Sequence, residues 1–136
     1  MSGNHEREAF HSNSHFSFET TLLDEEIAHG GTQPILAKRV LTIADLGANH
    51  VDLVIVPPGA DIGLHTHESD NQELYIIISG SGHMTVDNQQ IRVDSGHVVV
   101  NRPGGTHSLW NPGPEEIRIV VVEVPEAGRY IGVKSA

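Results

Sequence analysis

The chain has 136 residues, no cysteine and a formal charge of -10. That length suits one domain with a sizeable core. Disulfides, zinc-thiolate centres and cysteine nucleophiles are excluded, and the acidic balance argues against a nucleic-acid partner, whose phosphates it repels.

Residues 1–33 are polar and irregular, and we read them as an N-terminal arm rather than a domain. The opening MSGNHEREAF lacks the apolar core of a signal peptide. His5, His11 and His15 read as a polar tail, and Asp24, Glu25 and Glu26 as a solvated face. The stretch TLLDEEIAHGG suggests a short helix stopped by Gly30 and Gly31. From residue 34 the text changes to short apolar runs: ILAKRVLTI, HVDLVIV, LYIII, HMTV, IRV, VVV, HSLW and IRIVVVEV. Gly, Pro, Asn and Asp punctuate them at the spacing of an antiparallel sandwich or barrel. No stretch there sustains a helical period. The barrel is expected over 34–125, followed by a tail at 126–136.

The longest unbroken apolar run, LYIII at 74–78, is far short of a membrane span. We therefore expect no membrane partner and a cytoplasmic protein. The same run is apolar on both strand faces: Leu74, Ile76 and Ile78 on one, Tyr75 and Ile77 on the other. Residues 117–124 behave alike. A strand with two apolar faces needs cover on both sides, from the arm or from a second subunit, and this is the ground for expecting a homodimer.

Ten histidines outnumber the eight lysines and arginines. His65 and His67, two apart in a strand, face one way. Glu73 opens the next run, and a hairpin folds it back beside them; His107 begins a later strand. Three imidazoles and a carboxylate suit one divalent metal per chain: manganese, iron, cobalt, nickel or zinc. Four protein ligands leave room in an octahedral shell for substrate, water or dioxygen.

These residues resemble the cupin family. Its first motif reads Gly, five residues, His-x-His, three or four residues, Glu, six residues, Gly; here stand Gly59, His65, His67, Glu73 and Gly80, with five residues between His67 and Glu73. Its second reads Gly, five residues, Pro-x-Gly, two residues, His, three residues, Asn; here stand Gly96, Pro103, Gly104, His107 and Asn111. The turn before Glu73 is longer than usual, Arg102 takes the usual Pro position, and His97 stands where Asp is common. The resemblance implies an all-β, double-stranded β-helix barrel of the jelly-roll type, with the metal near one mouth.

Strand parity from the ligands expects Tyr75, Ile77 and Leu109 to line the cavity, with Gly63 leaving room beside the metal. Tyr75 and Arg102 are candidate catalytic residues: the phenol to donate to a bound oxyanion, the guanidinium to grip a carboxylate. His83 is expected outside, His97 in a turn, and Asn111 bonded to turn backbone. The family implies a scaffold and not a reaction. We expect a metal-dependent enzyme on a small carboxylate, keto acid, enediol or sugar, with dioxygenase-type chemistry favoured. Redox-neutral isomerisation, elimination or decarboxylation, and non-catalytic binding of a carboxylate or sugar, stay open.

Overall fold

Branched residues at period two, cut by tight turns, fold as strands in a computed structural model that describes residues 14–43, 49–67 and 71–125. The strands are β1 (Asp24–Glu26), β2 (Ile35–Ile43), β3 (Asn49–Val56), β4 (Asp61–Thr66), β5 (Asn71–Ser79), β6 (Ser81–Val86), β7 (Gln89–Asp94), β8 (Val98–Asn101), β9 (Thr106–Trp110) and β10 (Ile117–Pro125). They form a six-stranded sheet, β1-β2-β3-β10-β5-β8, and a four-stranded sheet, β4-β9-β6-β7. The pairings are antiparallel. The turn from β6 to β7 holds Asp87 at φ 48° and Asn88 at φ 69°, two left-handed residues that match the twist of a tight hairpin. The described residues form an all-β jelly-roll without helices, so none is long and apolar enough to cross a membrane.

The core lies between the sheets. Ile77, Met84, Leu109, Ile117 and Ile119 are each at most 1% exposed, and each such side chain contributes about 1.5–3 kcal/mol of hydrophobic stabilisation. Alternation along β5 puts Tyr75 and Ile77 in this core and leaves Ile78, on the opposite face, 45% exposed. In β10, Ile117, Ile119, Val121 and Glu123 are buried, and the residues between them are half-buried. Glu123 is thus a charged residue in a core register.

The helix expected near residues 21–31 does not form. Asp24, Glu25 and Glu26 pair instead with Ala37, Leu36 and Ile35 as an edge strand. So short a helix is marginal in water, whereas the edge of β2 offers the same backbone a ladder of hydrogen bonds. The chain then turns through His29 at φ 51° and Gly30 at φ 73°. The described part of the arm packs on its own barrel. Thr32 donates its N–H to Asp61 Oδ1 at 2.7 Å, Gly63 donates to the Ala28 carbonyl at 3.1 Å, and Arg118 donates to Glu19 Oε1 at 2.8 Å. His5, His11 and the tail at 126–136 lie outside the described residues.

Gly63 corrects a second expectation. Strand β4 pairs Ile62 with Leu109 and His65 with His107, with a register shift between them. One extra residue in β4 makes a bulge and breaks the parity that linked Gly63 to His65. A Cβ on Gly63 would collide with the His29 carbonyl and lie 3.0 Å from the Gly31 nitrogen. The missing side chain admits the arm backbone; it does not open space beside the histidines.

Candidate metal centre

His107 is the hub of the site. Strand β9 carries it into the barrel mouth, where it is 1% exposed. Its ring centroid lies 4.2 Å from that of His65, 6.3 Å from that of His67 and 5.4 Å from that of Tyr75, edge to face. Its Nε2 lies 3.2 Å from Glu73 Oε1, yet that nitrogen makes no hydrogen bond of good geometry. His67 follows β4 directly. Its N–H donates to the Gly105 carbonyl at 2.9 Å and its carbonyl accepts from Gly104 at 2.8 Å. These bonds clamp it to the turn that leads into β9. The long turn before Glu73 includes residues 68–70, which lie outside the described residues.

The chemistry of the donor set, three imidazoles and a carboxylate, suits a divalent metal, but among the described residues the grouping whose ligand atoms all lie within 4.8 Å of one another is His50, Glu73 and Glu123. His65 Nδ1 lies 2.7 Å from the Gly63 carbonyl. A carbonyl only accepts, so Nδ1 carries the proton and Nε2 keeps the lone pair that a metal needs. Burial, the largest cause, holds the His65 imidazole below its ordinary value and so favours the neutral ligand form. A buried, unbonded His107 nitrogen facing a carboxylate oxygen is an arrangement that a cation between them would satisfy. For Glu73, burial pushes the carboxyl up, but His107, with His67 and His65, outweighs it and holds the group below its ordinary value. Tyr75 goes the other way. Burial, then the charges of Glu73 and Asp52, push its phenol well up, so it stays protonated.

The structure therefore brings His65, His67, Glu73, His107 and Tyr75 together. Arg102 is exposed in the turn between β8 and β9, its carbonyl accepting from Gly105. Leu109 and Ile77 sit deeper in the core. His83 is exposed beside Trp110, and the exposed His97 accepts from the Asp94 N–H at 3.1 Å. Asn111, fully buried, donates to the carbonyls of Val56 at 2.9 Å and Glu115 at 2.8 Å. A cavity of about 250 Å³ opens beside the site, bounded by His29, Arg39, Asp52, Glu73 and Tyr75 among others.

Three residues that the sequence reading missed stand here. His29 stacks on His65 with ring centroids 3.5 Å apart. His50 and Glu123 join Glu73, and the ligand atoms of these three lie within 4.8 Å of one another, close enough to share a cation. Glu123 was findable: it continues the buried parity of Ile117, Ile119 and Val121. His50 shares parity with Asp52, Val54 and Val56.

Comparison with known proteins supplies independent evidence. A family model described as a cupin domain matches residues 52–123, more than half of the chain. An uncharacterised protein of Methanocaldococcus jannaschii is 34% identical over 71 residues, covering 52% of this chain and 56% of that protein. An oxalate-binding protein of Thermotoga maritima is 31% identical over 67 residues, covering 49% of this chain and 54% of that protein. The chain thus spans about half the length of these curated relatives. Among solved structures, a predicted oxalate decarboxylase of Thermotoga maritima superposes with a TM-score of 0.74 at 22% identity, covering 80% of this chain and 96% of that one. At that identity the likeness speaks for the fold alone.

Proposed function

The chain belongs to the cupin family, and on that premise we propose that it is a metal-dependent enzyme acting on a small carboxylate, keto acid or enediol. His65, His67, Glu73 and His107 hold the ion. The observation that carries this reading is the buried, unbonded Nε2 of His107, 3.2 Å from Glu73 Oε1, with His65 in the tautomer that keeps its own Nε2 for a ligand.

A bound divalent ion supplies Lewis acidity and, when redox-active, a place for dioxygen. The rest falls to the chain. The ligand set leaves room for a chelating oxygen pair. Tyr75, kept protonated, would offer a hydrogen bond to an oxyanion in the cavity. The apolar wall of Ile35, Val54 and Ile62 excludes water from the other side of the substrate. Arg102, from its exposed turn, would meet a carboxylate only at the rim. We favour dioxygenase-type cleavage. The second reading is redox-neutral decarboxylation, or binding without turnover, and the likeness to an oxalate-binding protein favours it. Turnover of small carboxylates with and without dioxygen tests this: dioxygen-dependent loss of substrate supports the oxygenase, dioxygen-independent loss supports the second reaction, and saturable binding without loss supports the binder.

A homodimer working in the cytoplasm is part of the reading. Ile78 and Val98, 45% and 57% exposed, lie on the outer face of the six-stranded sheet. Sedimentation should give twice the chain mass at micromolar concentration; a monomer there would end this part of the proposal.

A further inference from the structure

On the inner face of the six-stranded sheet, four polar residues stand in one row across four adjacent strands. Asn101 of β8 lies opposite Glu73 of β5, Glu73 opposite Glu123 of β10, and Glu123 opposite His50 of β3. Glu123 is 6% exposed and His50 8%. Two carboxylates directly opposite each other destabilise a sheet unless positive charge offsets them. Asp52, one layer deeper on β3, adds a third carboxylate, with Arg39 the guanidinium in contact.

Arg39 does not resolve the row. Its Nε and Nη2 donate to Asp52 at 2.9 and 3.2 Å, and Nη2 also lies 3.1 Å from His50 Nε2. An arginine N–H can only donate, so that last contact requires the lone pair on Nε2. Glu123 Oε2 approaches the same nitrogen to 3.2 Å, a contact that requires a proton there. One nitrogen cannot meet both demands. A divalent cation on the lone pair, with Glu123 as its next ligand, satisfies the imidazole and the carboxylate together and leaves Arg39 to Asp52. Asn101 gives an independent sign. It is 2% exposed, it lies across from Glu73, and both its side-chain oxygen and nitrogen lack a hydrogen-bond partner. Buried amides left so are rare; here the amide oxygen is a spare hard donor at the end of the row.

We propose that His50 and Glu123 hold a second divalent cation, and that Glu73 bridges it to the ion of the histidine set. The barrel mouth is then a two-cation centre with one shared carboxylate. The Glu73 bridge rests on the function proposed above; the His50 and Glu123 ligation does not.

The test is titration of the metal-stripped full chain with Mn(II) alone, following free and bound ion by electron paramagnetic resonance. Two equivalents should bind, and the doubly loaded protein should show a spin-coupled signal. Glu123→Gln and His50→Gln should each keep one equivalent and lose the coupling, with the second affinity down at least tenfold. Two variants on different strands guard against one that fails to fold, and circular dichroism checks each. His107→Ala should lose the other equivalent. A single equivalent unaffected by Glu123→Gln and His50→Gln but lost in His107→Ala overturns the second site and leaves the proposed function standing. A single equivalent lost in Glu123→Gln and kept in His107→Ala overturns the two-cation centre and the histidine site, and leaves only the His50 and Glu123 ligation standing. No binding at all overturns both cation sites.

Discussion

The two walls of the barrel mouth are built from opposite chemistry. The wall from the four-stranded sheet presents imidazoles, His65 and His107 side by side on β4 and β9. The wall from the six-stranded sheet presents oxygen donors, Asn101, Glu73 and Glu123, with His50 at the far end. Glu73 contacts both, through His107 on one side and the His50 and Glu123 group on the other. The imidazole wall is anchored by backbone: His67 by Gly104 and Gly105, His65 by the Gly63 carbonyl. The carboxylate wall is anchored by side chains, Asn71 donating to Glu123 at 3.1 Å and Arg39 to Asp52. A backbone anchor presets ligand geometry before any ion arrives, while a side-chain anchor can rearrange. The imidazole wall should therefore bind first and tightly, and the carboxylate wall should tune.

The largest expected effect breaks the imidazole wall. His67→Ala removes a proposed ligand whose backbone the turn already holds, so the fold should stay and metal should be lost. Affinity should fall about a hundredfold or more, beyond the roughly 10–100-fold typical of removing an outer-shell partner. Elemental analysis showing full occupancy in that variant would refute the ligand assignment.

Next in size is Gly63→Ala, which acts on the arm behind the same wall. The new Cβ meets the His29 carbonyl and Gly31 backbone, so the arm must move or β4 must bend. A cost of about 1–3 kcal/mol is expected. The His29 ring should also leave His65. Thermal unfolding together with faster protease cleavage near residue 30 checks this; unchanged values would mean that the arm docks elsewhere in solution.

How far this contrast was legible in the sequence follows from the distance each feature spans. Strands were readable because branched runs and turn residues are local signals. The histidine set could be proposed because His65, Thr66 and His67 share a short segment, and the spacing to Glu73 and His107 resembles a known pattern. The carboxylate row was not. It depends on β10 lying between β3 and β5, an order that no local spacing states. Gly63 was misplaced because parity assumes an unbroken strand, and one extra residue in β4 reverses it. The segment at residues 24–26 was misread because its strand state depends on a free edge of β2 and not on its own propensity.

A smaller effect is acid lability of the metal-free protein, and here the two walls act together. The His65 imidazole is held below its ordinary value of 6.5. The unfolded chain therefore takes up that proton first, and stability is present above about 6.5 and lost as pH falls toward the folded value. Glu73 is held below 4.5, so its contribution is present above that value and lost as pH falls through the folded one. Both slopes have the same sign. Midpoints of urea unfolding should decline from about pH 7 to about pH 3 and never rise. Glu73→Gln should flatten the lower part of that decline while leaving the upper part, which belongs to His65. A decline removed whole by Glu73→Gln would show that one wall alone carries it.

The smallest effect sharpens the shared carboxylate. Tyr75 is 3% exposed, faces His107 edge on and shares with Glu73 the inner face of β5. Tyr75→Phe removes a hydroxyl and almost no volume, so the ring stays packed. The loss should be that of one hydrogen bond, about 0.5–1.5 kcal/mol. If the phenol only steadies Glu73, metal affinity falls by up to about tenfold at a common RT scale, and the bound substrate is handled as before. If it instead turns to a substrate oxyanion, metal affinity is unchanged and the loss appears in substrate affinity or turnover. Measuring both in the same variant separates the roles. Because the deep position of Tyr75 sets Glu73 on the same strand face, a variant that loses neither would mean that the hydroxyl serves packing alone. The carboxylate would then owe its position to its two cross-strand neighbours, Asn101 and Glu123.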